Sequence, residues 1–543
     1  MKKLLFISLF ALAFTSVFAG GLLTNTNQSV HFLRNPALDA TTGIDGVYAN
    51  PAGLMFLTDG LHISFSNQSA YQTRTITSDF APFAGFNSGN SVKVFEGEAS
   101  AALIPSFQLA YKKDRYAIST AFAVTGGGGK AIFNKGLPSF EAPVSMIPLS
   151  LKSNGINTTS YSVDQYMEGR QYIFGVQLNG SYKINDALSA ALGLRLNIVN
   201  NGYKGHLKNI QINPNQPAFG AAYNGSALVS ASKFFTDAAT VLNSWAAGAT
   251  QFATGLQPIV NGGGGTTLLA NGTSAGLTAT QIAQIQGLLG AAGLTPAQIG
   301  AINIQTAQGT LTAASPVFAG KAAAMLANAA STADKQLECT QAGWGVTPVL
   351  SLNYHFEKLN LAAKYEFKSS LNVQNNTTID DTGLYADGVN TPSDIPAFLS
   401  LGGDYKITKN WNFSVGYHHF FDSDAKMAND KQQYIEGGIN EFLFGSEYAI
   451  NKVFLVSAGA QITRTGATDA YQTDMSFSLN SYSIGFGGAV NITPDLRLNL
   501  AYFFTNYSPW TKSSTNYNGT TLAGSDTYDR TNKVFGIGLD YKF

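Results

Sequence analysis

The feature that most constrains this chain is a strict two-residue alternation that recurs along most of it. In residues 535–543, Phe535, Ile537, Leu539, Tyr541 and Phe543 share one face, while Gly536, Gly538, Asp540 and Lys542 share the other. Leu496, Leu498, Leu500, Tyr502 and Phe504 alternate in the same way with Arg497, Asn499, Ala501 and Phe503. Leu359, Leu361, Ala363, Tyr365 and Phe367 alternate with Asn360, Ala362, Lys364, Glu366 and Lys368. The runs 188–198 and 411–417 repeat the pattern. A period of two with one apolar face is a strand whose one side lies in an apolar medium.

About fourteen such strands are predicted, near 61–71, 100–112, 115–125, 170–183, 187–202, 346–356, 358–369, 394–406, 410–421, 440–449, 452–464, 480–491, 495–507 and 531–543. A soluble sandwich would alternate too, so the connections decide. Every second one is a tight turn, such as Lys112-Lys113-Asp114 or Phe356-Glu357-Lys358. Those between them are long: 72–99, 126–169, 203–345, 370–393, 422–439, 465–479 and 508–530. Short turns on one side, long loops on the other and an even strand number mark an antiparallel transmembrane β-barrel. Both termini then fall on the short-turn, periplasmic side.

Composition agrees. Charged residues are 12% of the chain, 33 basic against 33 acidic, beside 56 Gly, 24 Tyr and 36 Phe. So sparse and neutral a charge gives no reason to expect a nucleic acid partner. Cys339 is the single cysteine, so no intramolecular disulfide staples the fold. Residues 1–19, with Lys2 and Lys3 before an apolar run and Val17-Phe18-Ala19 at its end, read as a secretory signal peptide. Gly20 rather than Cys follows, which argues against a lipid anchor, and no later run of eighteen or more apolar residues predicts a transmembrane helix.

Residues 20–60 precede the first strand and show neither periodicity. They are rich in turn residues, including the triplet Asn35-Pro36-Ala37, and a fourteen-stranded barrel leaves a lumen that such a segment can plug. Asn50-Pro51-Ala52-Gly53-Leu54, just ahead of that strand, resembles the NPAG hatch motif of the FadL family of outer-membrane transporters of hydrophobic compounds. With Leu33-Arg34-Asn35-Pro36 and Asp45-Gly46-Val47-Tyr48 it is similar to the branch found in Bacteroidetes.

The resemblance implies an all-β barrel in the outer membrane of a Gram-negative bacterium, plugged by its N-terminal hatch and spanning 61–543. It implies passive transport of long-chain fatty acids or similar lipophilic compounds, captured at extracellular loops, held in an interior pocket and released through a gap at a kink in the third strand. Gly126-Gly127-Gly128-Gly129 is the candidate for that kink, the start of a flexible loop being the alternative. Implied partners are a hydrophobic ligand, outer-membrane lipids and lipopolysaccharide, and the barrel assembly machinery through Phe543. No cofactor is expected.

The segment 203–345 is a separate, helix-rich extracellular insertion. Thr278 with Gln281, and Thr295 with Gln298 and Pro296, are helix-start signals. A helix is predicted over 227–256, where Phe235, Ala238, Leu242, Trp245, Ala249, Phe252 and Leu256 form one stripe. Phe235, Leu242, Trp245 and Phe252 are candidates for a ligand groove, and packing against neighbouring helices accounts for the same stripe.

Catalytic patterns fail on context. Gly272-Thr273-Ser274-Ala275-Gly276 matches a nucleophile elbow but has no strand before it. His418 and His419 are adjacent on a strand and so point to opposite faces, which does not suit one metal ion. Inward-facing Arg195 and Arg497 either pair wall to hatch or meet a ligand carboxylate, and His31, Arg34 and Asp45 read as hatch-to-wall pairs. The expected function is non-enzymatic transport. The alternative is a scaffold or secretion-system shuttle of the same fold that holds a protein partner in its loops.

Overall fold

The structure is a computed structural model that describes residues 24–543. The expected signal peptide, 1–19, and hatch residues 20–23 lie outside the described residues. Fourteen strands form one closed antiparallel barrel. They are β1 Gly60–Asp79, β2 Val92–Lys113, β3 Tyr116–Phe133, β4 Tyr161–Lys183, β5 Leu188–Ile212, β6 Lys335–Phe356 and β7 Leu359–Glu366, which Asn372–Asp380 continues. After these come β8 Phe398–Lys406, β9 Trp411–Phe420, β10 Ile439–Ala449, β11 Phe454–Arg464, β12 Ser481–Asn491, β13 Leu496–Tyr507 and β14 Gly524–Lys542. Each strand pairs with its neighbour, and β14 returns to β1 in register from His62–Lys542 to Asp79–Ser525, closing the sheet.

Alternation sets the two faces. On β5, Leu192, Leu194, Leu196 and Ile198 are exposed, whereas Arg195 and Asn197 between them are buried towards the lumen. An aromatic fringe lies beside the short turns: Tyr111, Tyr116, Tyr182, Tyr354, Phe356, Tyr405, Trp411, Tyr448 and Tyr541 are all exposed. Amphipathic rings at one edge of an apolar band belong at a membrane–water interface. No helix among the described residues is long and apolar enough to cross a membrane.

Several strands run further than the sequence predicts. β1 has 20 residues, β2 22, β4 23 and β5 25, about twice the 9–11 that cross a bilayer. Their upper halves mix charged residues among the others, such as Arg74 and Asp79 on β1, Glu96 and Glu98 on β2, Asp164 and Glu168 on β4 and Lys204 and Lys208 on β5, so no unbroken apolar face announces them. The loops shrink accordingly, to 80–91, 134–160 and 213–334. The Gly126–Gly129 run is inside β3, not at the start of a loop.

Residues 24–59 sit within the barrel wall, as short helical turns with most side chains buried: α1 Val30–Arg34, and 3-10 turns at Ile44–Val47 and Pro51–Phe56. A further helix, α2 Pro138–Ser153, follows β3. Nothing in the 138–153 sequence gives a cap, and Pro143 and Pro148 obscure it.

A second compact unit comprises residues 144–164 and 208–334. Its helices are α3 Ala231–Asn261, α4 Ala279–Ala291, α5 Pro296–Ala301 and α6 Ile304–Ser331. Both Thr/Gln capping boxes are formed, at Thr278–Gln281 and Thr295–Gln298. α3 starts at residue 231 and ends at 261, later at both ends than the periodicity suggests. α6, which the sequence pattern does not reveal, packs antiparallel to α3. Ser232 donates to the Ala329 carbonyl at 3.0 Å, Ser315 to Ala246 at 3.0 Å and Gln308 to Ala253 at 3.2 Å. Its apolar periodicity is blurred by Ala, Thr and Gly on all sides.

Candidate functional site

The hatch is held to the wall by polar groups on inward-facing strand positions. In the Asn50-Pro51-Ala52-Gly53 motif, Asn50 donates to the Thr41 carbonyl at 3.0 Å and to Asn353 Oδ1 at 2.7 Å, and its own Oδ1 accepts from Ser351 at 3.0 Å. Pro51 opens a 3-10 turn whose first position needs no donor. The Pro51 and Ala52 carbonyls accept from Ser181 at 2.8 Å and Ser189 at 2.7 Å. Gly53 has no room for a side chain, since a Cβ would stand 2.3 Å from the Thr41 carbonyl oxygen.

Charges lock the rest. His31 donates Nδ1 towards Asp45 and Nε2 towards Glu447 of β10, each at 2.7 Å. Arg34 pairs with the same Glu447 and donates to Ser457 at 2.8 Å and Asn499 at 3.2 Å. Burial disfavours a charge on His31, and Arg34 opposes it too, but Glu447 and Asp45 outweigh both and push its pKa up to about 9. His418 of β9 lies 2.6 Å from hatch Asp39 and 2.9 Å from Glu441 of β10, while His419 meets Asn440 at 2.9 Å on the opposite face.

Arg195 makes a bidentate pair with Glu366 at 2.6 and 2.8 Å and lies 4.5 Å from the centre of the hatch Tyr48 ring. Its guanidinium is therefore committed to wall and hatch. Arg497 donates Nε to Asn491 at 2.8 Å, near the short-turn end.

The wall itself is broken between β2 and β3. They pair at Glu98–Ile132 and Ala99–Ala131 and resume only at Phe107–Phe122. Between these points Ser100–Ser106 and Ala123–Lys130 have no partner on each other. The cause is local. Gly127 and Gly129 have φ of 102° and 74°, which bulges β3 and shifts its register against β4 on both sides of Gly126. A Cβ at Gly127 would come 2.2 Å from the Gln171 carbonyl oxygen. Pro105, in the run of β2 that pairs with β1 but not with β3, has no N–H to offer a ladder.

The hatch takes up the freed groups. Asn25 N–H donates to the Thr125 carbonyl at 2.9 Å, and Gln28 Nε2 to Val124 at 3.1 Å. A cavity of about 300 Å³ opens at the break, lined among others by Ile104, Pro105, Val124, Gly128, Phe174 and Val534.

In the helical unit a cavity of about 190 Å³ is lined by Leu151, Phe219, Leu242, Trp245, Phe318 and Lys321 among others. Of the four groove candidates, Leu242 and Trp245 line it. Phe235 is buried against Phe234, with ring centroids 5.4 Å apart, and Phe252 lies off the cavity. Phe219 and Phe318, 5.9 and 5.6 Å from the Trp245 ring, complete the aromatic wall. They come from a loop and from α6, which the sequence pattern leaves unassigned. The Gly272–Gly276 stretch lies in a 3-10 turn with no strand before it. Among the described residues, no group of three His, Cys, Asp or Glu side chains is placed to hold a metal ion.

A closed fourteen-stranded transmembrane barrel filled by its own N-terminal segment defines the class. Its fold is the FadL-type fold. Over 97% of this chain and 100% of the other, it is similar to the crystal structure of a Pseudomonas aeruginosa FadL homologue, with TM-score 0.56 and 11% identity. The P. putida toluene transporter TodX is similar over 93% of this chain and 95% of its own, with TM-score 0.47 and 13% identity. The Ralstonia pickettii toluene transporter TbuX is similar over 94% and 99%, with TM-score 0.45 and 12% identity. The sequence matches no protein-family model and no curated protein.

Proposed function

We propose that the chain carries hydrophobic small molecules, aliphatic acids or similar lipophilic compounds, across the outer membrane by passive diffusion. The observation that supports this best is the interruption of β2–β3 pairing at the cavity of about 300 Å³ above the hatch. Backbone groups in the hydrocarbon must be satisfied internally, and the hatch satisfies freed carbonyls of β3 through Asn25 and Gln28, so the wall can stay open there, as a passage requires. Capture falls to the aromatic cavity of the helical unit around Leu242 and Trp245. Net movement needs no cofactor and no covalent step, because differential affinity along the path drives a ligand down its gradient.

The test is an Ala101→Trp variant. Ala101 lines the cavity from the run of β2 that has no partner on β3, and an indole there fills part of the passage. In vesicles loaded with an acyl-binding reporter, wild-type protein is expected to admit a long-chain acid, and the variant to admit it at least about tenfold more slowly with its barrel intact by circular dichroism. Equal rates in a folded variant would refute the wall passage.

A further inference from the structure

β1 and β14 place two arginines side by side in the lumen. Climbing from the hatch, the inward rungs of this ribbon read Gln68–Gly536, Ala70–Val534, Gln72–Asn532, Arg74–Arg530 and Ile76–Tyr528. Like charges directly opposite each other across two strands repel. Lower in the lumen the cations are matched: Arg34 by Glu447, Arg195 and Lys364 by Glu366. The Arg74–Arg530 rung is not. Arg74 Nε donates to Gln72 Oε1 at 2.9 Å. Arg530 donates Nη2 to the Phe477 carbonyl at 3.2 Å and lies over the Phe477 and Tyr507 rings, and its Nε is buried without a hydrogen-bond partner. Among the described residues no carboxylate forms an ion pair with either arginine.

The rung borders empty space. Arg74 lines a small cavity with Gly128 and Gly129, which also line the cavity at the wall break. Arg530 lines a cavity of about 200 Å³ that shares Asn25 and Asn27 with it. One rung below the arginines stand Gln72 and Asn532, and then Ala70 and Val534, all in the lining at the break.

We propose that Arg74 and Arg530 together receive the anionic head of the cargo, a carboxylate on an aliphatic chain, while the chain lies along the cavity that leads to the β2/β3 break. This rests on the transport reading and adds to it a choice between acids and neutral hydrocarbons. A carboxylate meets guanidinium donors in bidentate fashion and relieves the repulsion between the two cations. A neutral hydrocarbon leaves both uncompensated. From Arg74 down to Gln68 is six residues, about 20 Å of strand, which accommodates an extended acyl chain.

The test measures binding of dodecanoic acid and of 1-dodecanol to the full-length protein in detergent at pH 8, for wild type and for the R74Q/R530Q double variant. Wild type is expected to bind the acid at least about tenfold more tightly than the alcohol, as charge-assisted hydrogen bonds require. In the variant the two affinities are expected to converge, with that for the alcohol unchanged. Should the double variant fail to fold, R74Q and R530Q alone are each expected to lower the acid-to-alcohol ratio. Equal affinities in wild type, or a preference that survives the substitutions, would overturn the head-group assignment and leave the transport reading standing. Binding of neither compound to wild type would overturn both.

Discussion

The His31 bridge makes the docking of the hatch depend on pH, in a direction set by its two carboxylate partners. An imidazole of ordinary pKa 6.5 is held at about 9 between Asp45 and Glu447. At 1.36 kcal/mol for each pH unit, that difference is worth about 3–4 kcal/mol, or roughly three hundredfold in a docking equilibrium. Because the pKa is higher in the docked state than in the free chain, the contribution is complete below pH 6.5. It declines as pH rises towards 9 and is absent above it. Replacing His31 by Gln keeps one hydrogen bond and removes the charge. Hydrogen exchange of hatch amides between Val30 and Asn50, corrected for intrinsic rates, reads the equilibrium. At pH 6 the variant is expected to exchange roughly two hundredfold faster than wild type, and the gap is expected to narrow to a small residue near pH 9.5. A gap that does not change with pH would show that His31 acts by shape alone, and no gap at pH 6 would refute the bridge.

Other perturbations separate the remaining parts. Gly485→Ala on β12 would put a Cβ 2.0 Å from the Leu33 carbonyl oxygen, and the overpacking is expected to weaken hatch docking by about 1–3 kcal/mol, read as faster hatch proteolysis with the barrel intact. Arg195→Met leaves Glu366 with Lys364 alone in a buried site, and is expected to cost about 3–5 kcal/mol in urea unfolding. Thr295→Ala removes one capping box and is expected to destabilise α5 by about 1 kcal/mol, seen as faster exchange at Gln298 without change in the strands.

The barrel was legible because each strand must show lipid an unbroken apolar face for the width of the bilayer. Leu192, Leu194 and Leu196 announce β5 by themselves. Above the bilayer that demand ends, so the extension of β5 through Lys204 and His206 is set by pairing with β6 and leaves no trace in hydrophobicity. The Gly126–Gly129 run shows the opposite failure. Its composition argues against a strand, yet β3 continues through it because bulges absorb the extra residues and Asn25 and Gln28 satisfy the displaced carbonyls.

Partners across the hatch were beyond reach of spacing. His31 and Glu447 are 416 positions apart, and nothing local marks Glu447 as the acceptor. The Arg74–Arg530 rung is of the same kind, since it exists only once β14 has closed onto β1 in one register. In the insertion the helical period marks Leu242 and Trp245, whereas Phe318 joins them only through the packing of α6 on α3, and Phe219 only through a turn folded back onto Trp245.

A passage from the lumen to the break in the wall would show itself in a cargo molecule located within it. Crystals of the full-length protein soaked with ω-bromododecanoic acid would report the bromine by anomalous scattering. A bromine peak is expected inside the cavity bounded by Ile104, Val124 and Val534, with continuous chain density rising towards Arg74 and Arg530. Bromine found solely on the outer, lipid-facing surface of the barrel would contradict such a passage.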